Sequence, residues 1–279
     1  MTDPMMSTEE LARRLNEPGV KVVDASWHLD GRSGRAEYLQ TRIPGAVFFD
    51  IDAVADRTTS LPHMLPDPAA FAAAAGALGV SERDTIVVYD TASMFAAARV
   101  WWTFRIMGAR DVRVLDGGLQ KWKREGRSLV HGEQTAAPVR FTPSFNTALV
   151  ADFDAVLDTL LRSTRQVVDA RPAARFRGEA PEPRAGLRGG HMPGARNVPA
   201  STLVAEDGTL RPDDELRAVF AAAGVDPMGP VTTTCGSGVT AAGLVLALAR
   251  LGNDRAAVYD GSWAEWGARS DAPIVKGGA

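Results

Sequence analysis

Residues 231–248 read Val-Thr-Thr-Thr-Cys-Gly-Ser-Gly-Val-Thr-Ala-Ala-Gly-Leu-Val-Leu-Ala-Leu. Four β-branched residues lead into Cys235, a glycine-containing loop follows, and an apolar helical pattern begins near Thr240. Strand, tight loop and helix in that order predict an α/β unit with Cys235 at the carboxyl end of a strand and facing a helix N-terminus. Open α/β sheets bind their ligands at that edge. Gly236 and Gly238 can adopt backbone angles that turn successive N–H groups inward, and such a nest stabilises an anion with the helix dipole behind it. Cys235 is the single cysteine of the chain. A lone cysteine is usually a small buried hydrophobe, but a thiolate in this loop is expected to be a good nucleophile, and the same cradle would stabilise a terminal persulfide anion.

Outward from this stretch, the chain repeats itself. Val22-Val23-Asp24-Ala25 returns as Val167-Val168-Asp169-Ala170, Ile43-Pro44-Gly45-Ala46 as Met192-Pro193-Gly194-Ala195, and Met107-Gly108 as Leu251-Gly252. Val114-Leu115-Asp116-Gly117-Gly118 returns as Val258-Tyr259-Asp260-Gly261-Ser262, and Trp122 as Trp266. The blocks keep their order at an offset of 144 to 149 residues, so the chain reads as two copies of one α/β domain. Apolar runs at 21–25, 85–89, 112–115, 166–169, 231–234 and 256–259 predict buried parallel strands. Helical patterns at 69–78, 95–107, 216–223 and 240–251 each end at a glycine, the expected stop. The expected division is a first domain over 1–135, a linker over 136–150 containing Pro138 and Pro143, and a second domain over 151–279.

Composition narrows the function classes. The chain has 279 residues, 45% hydrophobic and 23% charged, with a formal net charge of -3. No long basic run is present, so neither nucleic acid nor a membrane surface is an expected partner. Residues 1–15 are polar, without an apolar signal core. The longest apolar run, 241–249, falls far short of the roughly 20 residues that span a bilayer. One cysteine forms no intrachain disulfide, and a cytoplasmic protein is the expectation. No Cys/His cluster has metal-ligand spacing, so no metal is expected, and no cofactor either.

Two phosphate chemistries are testable on the loop itself. A Walker loop carries Lys-Ser/Thr after its last glycine, whereas Gly238 is followed by Val239-Thr240. A cysteine phosphatase needs an arginine to clamp the phosphoryl oxygens, and residues 236–243 contain none.

The tandem repeat, the duplicated Pro-Gly-Ala blocks, the Asp-Gly-Gly block with its tryptophan and the Cys235 loop together resemble the rhodanese superfamily. The resemblance spans nearly the whole chain and implies tandem rhodanese-like domains, each a mostly parallel sheet flanked by helices. The loop Cys235-Gly-Ser-Gly-Val-Thr-Ala is similar to that of the sulfurtransferases acting on 3-mercaptopyruvate. Those using thiosulfate typically carry basic residues directly after the cysteine. The resemblance also implies that the first domain lacks the nucleophile, and the repeat sets Asp90 opposite Cys235. It implies a loop built from Gly236, Gly238, Val239 and Thr240, with Arg175 and Arg184 holding the substrate's carboxylate and ketone oxygens. Planar arginine forks suit a carboxylate. It further implies an Asp52–His63–Ser237 relay for proton transfer, since a histidine exchanges its proton near neutral pH. A solvated surface role is the alternative for each arginine, and a structural hydrogen bond for His63. Arg171, Arg177, Arg188 and His191 are expected to be structural.

The expected reaction moves sulfur from 3-mercaptopyruvate to cyanide or to a thiol such as thioredoxin, through a Cys235 persulfide. A thiosulfate sulfurtransferase is the alternative within the same fold. A non-catalytic sulfur-relay or binding module is the alternative from another class, and it has no need of a nucleophile.

Overall fold

Two five-stranded sheets organise the computed structural model, which describes residues 2–92 and 94–278. The first contains β1 (Met5–Met6), β2 (Val20–Asp24), β3 (Val47–Phe48), β4 (Thr85–Tyr89) and β5 (Asp111–Leu115), in the order β1-β5-β4-β2-β3. The second contains β6 (Val150–Ala151), β7 (Gln166–Asp169), β8 (Arg196–Asn197), β9 (Val231–Thr234) and β10 (Ala257–Tyr259), in the order β6-β10-β9-β7-β8. Every pairing in both is parallel, and the second order is the first carried forward by five strands. The repeat in the sequence is a repeat of topology.

The helices are α1 (Thr8–Arg14), α2 (Gly34–Gln40), α3 (Ile51–Val54), α4 (Pro68–Ala77), α5 (Phe95–Ile106) and α6 (Gly118–Arg124), then α7 (Phe153–Arg162), α8 (Ala173–Phe176), α9 (Asp213–Ala222), α10 (Ala241–Arg250) and α11 (Ser262–Trp266). Their starts follow from local chemistry. Asp67 caps α4 by accepting from the amides of Ala69 and Ala70, with Pro68 at its first position, and Asp152 caps α7 through the Ala155 amide. The stops of α5 and α10 fall at the matched Gly108 and Gly252, at φ 98° and 101°, in the left-handed region that glycine enters without a Cβ clash. None of the helices among the described residues is long and apolar enough to cross a membrane.

Each matched Pro-Gly-Ala block is a turn that feeds an edge strand. The amide of Ala46 donates to the Ile43 carbonyl, and that of Ala195 to Met192. Gly45 and Gly194 take the positive φ that such a turn requires. β3 and β8 follow directly.

Two compact units result. One comprises the chain up to Asp56 with Leu65–Asn146 and Ala205–Leu210; the other comprises Arg57–Met64, Thr147–Val204 and the chain from Arg211 onward. The segment bearing His63 thus belongs with the second unit. The matched tryptophans anchor both cores. Trp122 packs with Leu11, Val22, Tyr89 and Leu119 in the first, and Trp266 with Phe153, Val167, Tyr259 and Trp263 in the second. Each indole N–H finds a carbonyl, Ser128 for Trp122 and Pro273 for Trp266, so neither ring strands a buried donor.

In the second unit β9 runs between β10 and β7. All four of its residues are buried, as expected for a parallel strand covered on both faces. α10, which follows the loop, is buried from Ala241 to Ala249. A helix apolar on all sides is a core helix, and it holds the far end of the Cys235 loop firmly in place.

Candidate active site

Cys235 is the first residue past β9 and is only 2% exposed. Its main chain is held from three directions. The Cys235 amide donates to Ser262 Oγ at 3.2 Å. The carbonyl of Cys235 accepts from the Trp263 amide at 3.0 Å, and that of Gly236 from the Ala264 amide at 2.9 Å. On the strand side, Thr234 O accepts from the Ala170 amide at 2.8 Å. Gly238 takes φ 78°, which reverses the chain so that it enters α10 through Thr240. Ser237 and Val239 are buried within the loop, and Gly236 and Thr240 are partly exposed.

Arg175 and Arg184 come together over this loop. A Cβ placed on Gly236 would lie 3.3 Å from Arg175 Nη2 and 3.9 Å from Arg184 Nη1. Both guanidinium groups therefore reach the main chain one residue after the cysteine, and a side chain at 236 would crowd the nearer one. Neither arginine belongs to the loop itself. The cations are carried on α8 and the segment after it, which explains why the loop can be uncharged.

Arg175 is oriented by a buried ion network. Its Nη2 and Nε donate to Glu182 Oε2. Glu182 Oε1 accepts from Arg171 Nη1 at 2.7 Å, and Arg171 grips Asp169 through Nε and Nη2. The side chains of Asp169, Arg171 and Glu182 are each 1% exposed. Arg171 also lies 3.9 Å above the Trp263 ring. Burial works against its charge, but Asp169 and Glu182 outweigh that and raise its pKa above the ordinary arginine value. A chain of alternating charge thus runs from the end of β7 to Arg175.

Arg184 Nη2 faces His63 Nε2 at 3.3 Å. Arginine only donates, so this Nε2 accepts, and the ring proton is assigned to Nδ1. His63 sits at φ 60° in a turn. Asp52 is exposed and belongs to the other unit, where its Oδ2 accepts from the indole of Trp27 at 2.9 Å.

The other singled-out residues have structural partners. Arg188 donates to the carbonyls of Trp266, Gly267 and Ala272. Arg177 pairs with Glu179 at the surface. His191 is buried, with Nδ1 2.9 Å from Phe176 O and its ring stacked on Phe176.

The first unit supplies an internal comparison. Asp90 follows β4 as Cys235 follows β9. Its Oδ1 accepts from the amides of Ala92 and Met94, and its Oδ2 from that of Ala97. The loop in this copy is closed around a carboxylate of its own. The same strand–loop–helix construction therefore holds a carboxyl group through main-chain amides.

A rhodanese-like domain profile matches residues 7–125 and again residues 153–269. The chain belongs to the rhodanese family, as a tandem of two such domains. Within that family it is 46% identical to the 3-mercaptopyruvate sulfurtransferase of Escherichia coli (strain K12) over 267 residues, 95% of each chain. It is 40% identical over 296 residues to the mitochondrial thiosulfate/3-mercaptopyruvate sulfurtransferase 1 of Arabidopsis thaliana, covering 98% of this chain and 78% of that one. The crystal structure of SseA from Escherichia coli, a 3-mercaptopyruvate sulfurtransferase, matches with a TM-score of 0.86 at 42% identity, covering 94% of this chain and 99% of that one.

Proposed function

We propose that this chain is a cytoplasmic 3-mercaptopyruvate sulfurtransferase working by double displacement through Cys235. The observation that carries the reading is the approach of two guanidinium groups to Gly236, beside an uncharged cysteine loop. Mercaptopyruvate presents a carboxylate and an adjacent ketone to such a pair, with its thiol carbon a short reach away. In the first step the Cys235 thiolate attacks the substrate sulfur and the carbon–sulfur bond breaks. The electron pair passes to the carbon fragment as the enolate of pyruvate. Arg175 and Arg184 stabilise charge on its oxygens, and a proton completes pyruvate. The outer sulfur of the resulting persulfide rests in the amide cradle formed by Gly236, Gly238, Val239 and Thr240. In the second step cyanide takes it as thiocyanate, or a thiol such as reduced thioredoxin takes it. The chain has no second cysteine, so the acceptor is external.

Ser237, His63 and Asp52 are proposed as the proton relay. The Nε2 of His63 lies against Arg184, so the imidazole stands beside the group proposed to hold the departing enolate.

A second reading, thiosulfate as donor, is favoured by one observation: the Arabidopsis relative named for both donors is 40% identical. Comparing kcat/KM for mercaptopyruvate and thiosulfate with cyanide as acceptor decides between them. A clear preference for mercaptopyruvate is expected, and a preference for thiosulfate overturns the choice.

A further inference from the structure

Ser262 is an anomaly that the reaction above leaves unused. It is fully buried and holds φ 49°, a left-handed conformation that side chains other than Gly, Asn and Asp seldom adopt. The matching position of the first unit is Gly118, at φ 54°. There the fold meets the same backbone requirement with glycine, and the adjacent bond is the same: the Leu119 amide donates to Asp90 O as the Trp263 amide donates to Cys235 O. A Cβ on Gly118 would lie 2.7 Å from Asp90 O, so the first copy has no room for a side chain. The copy carrying the cysteine keeps a serine in spite of the backbone strain.

The hydroxyl shows what the serine does. Ser262 Oγ accepts from the Cys235 amide at 3.2 Å and donates to Tyr259 O at 2.7 Å. It ties the first peptide of the cysteine loop to the end of β10. Both carbonyls that follow are already held by Trp263 and Ala264. The Ser262 bond completes the clamp on the peptide from which the thiol side chain departs. How that peptide is held sets where the Cα–Cβ bond of Cys235 stands relative to the loop amides.

We propose that Ser262 is a positioning residue for Cys235: its hydroxyl fixes the Cys235 amide, and thereby the orientation of the thiolate toward its amide cradle. The inference rests on the reading of Cys235 as the nucleophile. Two variants separate this role from a purely structural one. Ser262→Ala removes the hydroxyl and keeps the strain. Ser262→Gly removes both, and glycine is the residue that the fold itself uses at position 118, so folding is retained.

Both variants are expected to lower the single-turnover rate of sulfur transfer to Cys235 about tenfold, the worth of one well-placed hydrogen bond, with KM for the donor within about twofold of wild type. Alkylation of Cys235 by iodoacetamide is expected to slow by a similar factor at neutral pH, and its pH–rate profile to move to higher pH, even where Ser262→Gly melts at or above the wild-type temperature. A glycine variant with wild-type alkylation rate, pH profile and turnover overturns the inference. Alkylation needs no sulfur donor. If wild-type protein fails to load sulfur, the functional reading falls, while the alkylation comparison still decides the role of Ser262.

Discussion

Replacing Gly236 by alanine tests the placement of the two arginines with a single methyl group. The new Cβ would stand 3.3 Å from Arg175 Nη2 and 3.9 Å from Arg184 Nη1. The second distance is ordinary contact; the first requires the guanidinium to retreat by a few tenths of an ångström. Arg175 cannot retreat freely, because its Nη2 and Nε are both engaged by Glu182, which is itself buried and bound to Arg171. Gly236 does not use a positive φ, so the backbone accepts alanine, and the lost freedom of the unfolded chain favours the variant slightly. The expected result is a stability change within about 1 kcal/mol. One charge-assisted contact to the donor is weakened, at about 1.5 kcal/mol, or roughly tenfold in KM for mercaptopyruvate. Steady-state kinetics with cyanide as acceptor, run beside thermal unfolding, reads both quantities. An unchanged KM in a folded variant would refute the reasoning, since the arginines would then not be working at the loop.

Three further outcomes are expected. Arg184→Ala should raise KM for mercaptopyruvate by about 10- to 150-fold, corresponding to roughly 1.5–3 kcal/mol for a charge-assisted contact; wild-type KM would remove Arg184 from substrate binding. Asp90→Ala leaves the amides of Ala92, Met94 and Ala97 without their acceptor and should destabilise by about 2–4 kcal/mol in urea titration; an unaltered midpoint would show that the carboxylate does not hold these amides. Burial of Asp24, partly offset by its contacts with Ser26, pushes its carboxyl up to about 6 from an ordinary 3.8. The folded state therefore holds this proton more tightly than the unfolded chain, and the contribution is full below about pH 4 and lost as pH rises through 6. Asp24→Asn should flatten that decline, by up to about 3 kcal/mol between pH 4 and 7; a variant with the wild-type slope would contradict the assignment.

The interior strands were legible because they are runs of β-branched residues bounded by turns. The reading of 85–89, 166–169 and 231–234 coincides with β4, β7 and β9; β5 and β10 differ by one residue at one end, and β2 is displaced by one residue at both ends. The edge strands β1, β3, β6 and β8 are two residues each, too short to carry any periodicity. The strand–loop–helix position of Cys235 could be read from Val231-Thr-Thr-Thr and the glycines after it. The gathering of Arg175 and Arg184 at Gly236 could not be read from the residues themselves, because it depends on how α8 and the following loop pack; the family resemblance alone pointed to the pair. The ion network behind Arg175 was equally hidden: Arg171 looks like any other arginine until Asp169 and Glu182 surround it. In the first unit Ser26 stands where Arg171 stands in the second, which leaves Asp24 buried without that cation. His63 lies in an aperiodic stretch, and nothing in its composition tells that 57–64 joins the unit of the cysteine. Ser262 did leave a signal, the one change from glycine to serine between the matched Asp-Gly-Gly and Asp-Gly-Ser blocks.

The most direct test of the central claim is mass spectrometry of the Cys235 peptide after mercaptopyruvate is added without acceptor. One added sulfur atom on Cys235 is predicted, released as thiocyanate when cyanide follows, with none in Cys235→Ser. A Cys235 peptide of unchanged mass in protein that still produces pyruvate and thiocyanate would contradict the account.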